Sequence, residues 1–156
     1  MANWCNNVVW FEADETTTKK IKEMFLQMAK IERETDCGQL PPFISIDKDW
    51  FFDIRWEVEN VLYYNTKWSP NTEILRQIAE HFKVDFTLEY EELSCAIYGR
   101  ATYAKSILTD IYLDREDFKA YQSDQGTDSY FFEGETYESE WEILETLLER
   151  KIANNN

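Results

Sequence analysis

The sequence predicts an α+β fold: two helices lie across one face of an antiparallel sheet, and a C-terminal β-hairpin and helix extend it. Three observations predict it. Several stretches alternate apolar with polar residues, the period of a strand. Two segments between them repeat apolar residues at three and four positions, the period of a helix. The elements succeed one another as strand, helix, strand, strand, helix, strand.

Asn3 to Ala13 reads as the first strand, with Trp4, Val8 and Trp10 on one face and Val9 and Phe11 on the other. Apolar residues on both faces predict a central strand covered from two sides. Asp14 is a suitable N-cap for the helix that follows, whose stripe is Ile21, Met24, Phe25 and Met28, ending near Ile31. Glu32 to Asp49 reads as a loop broken by Pro41-Pro42, longer than connections usually are. Its Phe43, Ile44 and Ile46 suit either a functional loop or one pinned to the core.

Trp50, Phe52, Ile54 and Trp56 alternate inward against Phe51, Asp53, Arg55 and Glu57, and a turn at Glu59-Asn60 leads into a partner strand over 61–68. Ser69-Pro70 is a helix start, with the hydroxyl as cap and proline at the first helical position. Ile74, Leu75, Ile78, Ala79 and Phe82 form that helix's buried stripe, and Val84, Phe86, Leu88 and Tyr90 the inward side of the next strand. The succession is the split βαβ, or ferredoxin-like, arrangement. The term describes topology alone, because no cluster-binding cysteine run is present.

Beyond it, 96–103 and 107–113 read as an added hairpin, and Arg115 to Tyr121 as a short helical piece. A second hairpin turns at Glu133-Gly134. Ser139 and Glu142 have capping-box spacing before a helix with Trp141, Leu144, Leu147, Leu148 and Ile152 inward and a frayed tail from Ala153. Residues 1–113 are thus expected to form the ferredoxin-like core with its hairpin. Residues 114–156 are expected to be an acidic C-terminal extension packed on the same domain.

Charge narrows the function. The chain of 156 residues carries 16 Lys and Arg against 31 Asp and Glu, a net −15. That sign opposes phosphate-tracking nucleic-acid binding, which needs cations, and polybasic membrane anchoring. With 44% hydrophobic and 16% aromatic residues the chain is too apolar for acidic disorder. No signal segment or membrane span is legible, and Cys5, Cys37 and Cys95 form an odd set without a CxxC pair, so the expected setting is the cytoplasm.

Catalysis finds little support. His81 is the single histidine and sits beside a helix's apolar stripe, and no nucleophile has a local signature. The cysteines and histidine lack zinc spacing, Asp124 to Asp128 lacks the ligand alternation of a calcium loop, and there is no glycine-rich phosphate loop, so neither metal nor cofactor is expected. The stretch from Asp110 to Glu149 holds thirteen carboxylates against two bases, Arg115 and Lys119: either a solvated face or a decoy for a basic partner. Trp4, Trp10 and Phe51 fall on the sheet's second face, to be covered by the C-terminal third or by a partner or second copy of the chain.

Asn3-Trp4-Cys5-Asn6-Asn7, Lys67-Trp68-Ser69-Pro70, Tyr90-Glu91-Glu92 and Tyr98-Gly99-Arg100 together resemble the YubB-like, avirulence-plasmid-induced (Api-like) family of ferredoxin-like domains, over about residues 2 to 113. The resemblance implies that fold and a bacterial, mobile-element setting. It transfers no catalytic residue, because the family has none assigned. The motif residues suit structural work, with Asn3 and Asn6 bonding backbone, Cys5 buried, and Trp68 closing the core. Alternatively Asn3, Trp4, Cys5, Asn6, Trp68 and Arg100 line one binding pocket. The expected function is a non-enzymatic binding or regulatory module with a protein partner. The alternatives are an acidic DNA mimic acting against host defence, and an enzyme using Cys5, Cys95 or a carboxylate pair near Arg100.

Overall fold

The structure, a computed structural model, describes residues 3–156. Its strands and helices are β1 (Trp4–Glu12), α1 (Glu15–Thr35), β2 (Phe52–Glu57), β3 (Val61–Lys67), α2 (Thr72–Phe82), β4 (Asp85–Glu92), β5 (Ile97–Ala104), β6 (Ile107–Tyr112), α3 (Arg115–Phe118), β7 (Gln122–Asp124), β8 (Ser129–Phe132), β9 (Glu135–Tyr137) and α4 (Glu140–Asn154). The main sheet runs β2-β3-β1-β4-β5-β6, every pair antiparallel, and β7-β8-β9 form a small second sheet. The first four strands in that order are the ferredoxin-like sheet, and β5-β6 is the added hairpin. No helix among the described residues is long and apolar enough to cross a membrane.

Helices α1 and α2 cover one face. Ile21, Phe25 and Met28 of α1 and Ile74, Leu75 and Ile78 of α2 are buried against Cys5, Val9, Leu62, Tyr64, Phe86, Leu88 and Ala101 from the sheet. Asp14 caps α1 as its position predicts, its carboxylate accepting from the Thr17 amide at 2.7 Å. The helix runs past Ile31 to Thr35, where Asp36 in the left-handed region ends it. Loop residues Phe43 and Ile44 pack on the core, and the Phe43 ring stacks on His81 at 3.7 Å.

Four expectations need correction. In β2 the alternation breaks at Asp53 (φ 49°), where the pairing with β3 shifts register. The bulge puts Phe51 in the core with Ile54 and sends Phe52 to the opposite face against Trp4. α2 starts at Thr72, not at Pro70, because Asn71 is drawn into a buried network. It accepts from the Tyr64 hydroxyl at 2.7 Å and donates to the Asp49 carbonyl at 3.1 Å, leaving no side-chain cap. Trp68 does not close the core: its φ of 71° swings it outward, 54% exposed. Trp141 also turns outward, while Ile143, outside the expected stripe, is buried, and α4 continues through Asn154 instead of fraying from Ala153.

Candidate functional site

Direct partners in an antiparallel sheet point to the same face. On the face away from α1 and α2 they make three rows. One is Asn65, Asn6, Glu91, Tyr98; the next is Tyr63, Val8, Glu89, Arg100, Ile111; the third is Val61, Trp10, Thr87, Thr102, Thr109. Trp4 lies opposite Lys67 beyond the first row. The β2 bulge adds Phe52, whose ring meets Trp4 edge-on at 5.0 Å.

Helix α4 stands over the β5-β6 end of these rows. Leu144 and Leu148 bury against Leu113, with Ile111 and Tyr98 packed around them. The polar fastening is Arg100, whose guanidinium donates to Glu149 at 2.6 Å and Glu145 at 2.9 Å and pairs with Glu89 at 3.1 Å. The Tyr98 hydroxyl donates to Glu145 at 2.8 Å, and burial followed by that carboxylate pushes its ionisation upward. The β2-β3-β1 half lies open to solvent: Trp4 is 44% exposed, Asn6 and Lys67 are exposed, and Val8, Trp10, Tyr63 and Asn65 are half-buried. Lys67 and Arg55 sit over its aromatic rings, at 5.0 Å from Phe52 and 5.7 Å from Tyr63.

A cleft of about 230 Å³ opens where the exposed half meets α4, lined by Asn6, Glu89, Glu91, Tyr98, Trp141 and Glu145. Its floor is strand and its wall is helix. Glu91 accepts from Asn6 Nδ2 at 3.1 Å through Oε1, while Oε2 is buried without a partner. Burial lifts this carboxyl above the ordinary range, against the pull of the Asn6 bond.

The six residues expected to share a pocket are divided by the fold. Trp4, Asn6 and Arg100 share the face, although only Asn6 lines the cleft. Cys5 points to the helix-covered side, where burial pushes its thiol up to about 12 and keeps it protonated, a poor nucleophile. Asn3 ties β1 to the turn at Ser94 and Cys95, and its carbonyl accepts from the Trp68 amide at 2.8 Å. Trp68 lines a separate shallow groove with Asp47, Lys48 and Trp50.

Sequence reasoning missed Glu89, Tyr98, Trp141 and Glu145 as one group. The β4 alternation placed Glu89 and Glu91 on the second face, but nothing local indicated that α4 would wall that face at Tyr98.

The acidic C-terminal run is largely occupied by local bonds. Asp110 accepts from the Tyr90 hydroxyl at 2.6 Å, Asp114 and Asp117 hold Lys151, Glu116 holds Lys119, and Glu133 holds Arg150. Glu140 accepts from Tyr121, and Glu145 and Glu149 hold Arg100.

No curated protein and no solved structure matches the chain. A family model described as "Ferredoxin-like domain in Api92-like protein" matches residues 51–133, over half of the chain, from the approach to β2 to the turn after β8. With the strand order found here, that match identifies the chain as a member of the ferredoxin-like family of Api92-like proteins.

Proposed function

We propose that the protein is a non-enzymatic binding module, working in a bacterial cytoplasm in a mobile-element setting, that docks a protein partner on the open half of its sheet. The observation that carries this reading is the open half of the sheet, where exposed Trp4 and half-buried Phe52, Tyr63 and Trp10 are interleaved with Asn6 and Asn65 beside the α4 wall. Aromatic side chains with amide neighbours on a rigid strand platform are the composition of interface anchors. The setting rests on the family resemblance.

A second copy of this chain suits the face poorly, since each copy carries a net −15 and adds Glu89 and Glu91 beside the aromatic row. The decoy reading loses support because most of the acids that would imitate phosphates are bonded to neighbouring side chains. Enzymatic use of Cys5 loses support from its buried, protonated thiol.

The test is selection of peptides from a random display library on the whole protein, followed by affinity measurement against Trp4→Ala and Tyr63→Ala. Both side chains are partly exposed, so the fold tolerates their removal. Selected peptides are expected to lose roughly tenfold or more in affinity to either variant. Peptides indifferent to both substitutions, or a selection that yields none, would overturn the reading.

A further inference from the structure

We propose that the cleft under α4 seats one cationic side chain, a lysine or an arginine, of the partner that lies on the open face. The inference rests on the docking reading above and adds the partner's chemistry.

Charge in the cleft favours a cation. Glu89 and Glu91 form the floor and Glu145 the wall. Among the described residues the ion pairs at this end all go to Arg100, which is shared by Glu89, Glu145 and Glu149, and none reaches Glu91. Glu91 therefore keeps one oxygen bonded to Asn6 and one buried oxygen with no donor. A buried carboxylate oxygen without a donor is costly. Glu91 lines the cleft, so a turn of its carboxylate would present that oxygen to an ammonium or guanidinium, which supplies the missing hydrogen bond and charge.

The size of the cleft favours the same occupant. Pockets for whole small molecules run from about 300 to 1,000 Å³, and at about 230 Å³ this cleft suits a side chain. The Tyr98 and Trp141 rings, 6.2 Å apart, give the wall two aromatic surfaces for an alkyl stem and a cation. A metal ion is a poorer match, because among the described residues no three His, Cys, Asp or Glu groups converge for one. Asn6 and Val8 line the cleft and also belong to the exposed rows. A chain lying along the open face can thus lower one residue into the cleft without leaving its aromatic anchors.

The probes are acetyl-Gly-Gly-Lys-Gly-Gly-amide and the same peptide with norleucine for lysine, titrated into the whole protein while NMR follows the Trp141 indole and Gly99 amide. At probe concentrations of about tens of millimolar the lysine peptide is expected to shift both signals, and the norleucine peptide to leave them still. Glu91→Gln preserves the acceptor for Asn6, so it folds, and it should weaken the lysine probe roughly tenfold. Equal response to the two probes, no response to either, or an unchanged affinity in Glu91→Gln would overturn the inference. Replacing each Lys or Arg of the display-selected peptides with norleucine separates the two readings. Peptides that need Trp4 and Tyr63 but tolerate norleucine sink the cationic seat and leave the docking face standing.

Discussion

Arg100→Met tests how α4 is held over the sheet. Arg100 is 19% exposed and meets three carboxylates that are 42%, 45% and 52% exposed. Pairs this wet belong on the surface scale, about 0.5–1 kcal/mol each, and not on the scale of fully buried pairs. Three of them sum to about 2 kcal/mol, since methionine keeps most of the arginine's apolar contact. In a chain of this length that corresponds to a fall of roughly 6 °C in Tm. The fall should shrink in high salt, because the pairs are screened.

The loss should also be local. Without Arg100, Glu89, Glu145 and Glu149 repel one another across the α4 seam. Amide hydrogen exchange should then quicken in α4 well before it does in β1 or β4. Adding Glu145→Gln and Glu149→Gln to Arg100→Met should recover part of the loss by removing the repulsion. An unchanged Tm with unchanged exchange in α4 would refute the reasoning and leave the Leu144 and Leu148 packing and the other polar bonds, such as Lys151 to Asp114 and Asp117, to hold the helix.

Asn71→Ala is expected to cost roughly 2–4 kcal/mol in urea unfolding, because it strands the buried Tyr64 hydroxyl and the Asp49 carbonyl together. Gly99→Ala should cost about 1–3 kcal/mol, since its new methyl would lie 2.8 Å from Tyr112 Cβ and press on the Tyr90 ring, also disturbing the Tyr90–Asp110 bond. Glu91→Gln should raise Tm at neutral pH. Burial raises the folded carboxyl above its ordinary 4.5, so the favourable contribution is complete below that value and is lost as pH rises through the folded one. The variant's advantage should therefore vanish in thermal scans below the ordinary carboxyl range.

Much of the architecture was legible because local and global preferences agree. The stripe Ile74, Leu75, Ile78, Ala79 is buried as its spacing predicts, and so are Phe86, Leu88 and Tyr90. The turns at Glu59-Asn60 and Glu133-Gly134 fall where the sequence predicts them and adopt positive φ, which Gly134 takes freely and Asn60 tolerates. The misreadings arose where a non-local contact decides. Asp53 interrupts a clean alternation with a bulge that no pattern reveals. Ser69-Pro70 is a good start signal, but Asn71's bonds to Tyr64 and Asp49 hold the first turn away from it. Tryptophan's bulk suggested core at Trp50, Trp68 and Trp141, whereas each exposes 36% or more. The cleft was legible only in part: the sequence gives the side of the sheet for Asn6 and Glu91, but the wall depends on where a helix about fifty residues later comes to rest.

The central claim is that a partner lies on the open half of the sheet. NMR mapping of a display-selected peptide on the whole protein tests it most directly. The account predicts perturbed signals at Trp4, Asn6, Val8, Tyr63 and Asn65, fading toward α1 and α2. Perturbations centred on the helix-covered side, or along the outer edge of β6, would contradict it.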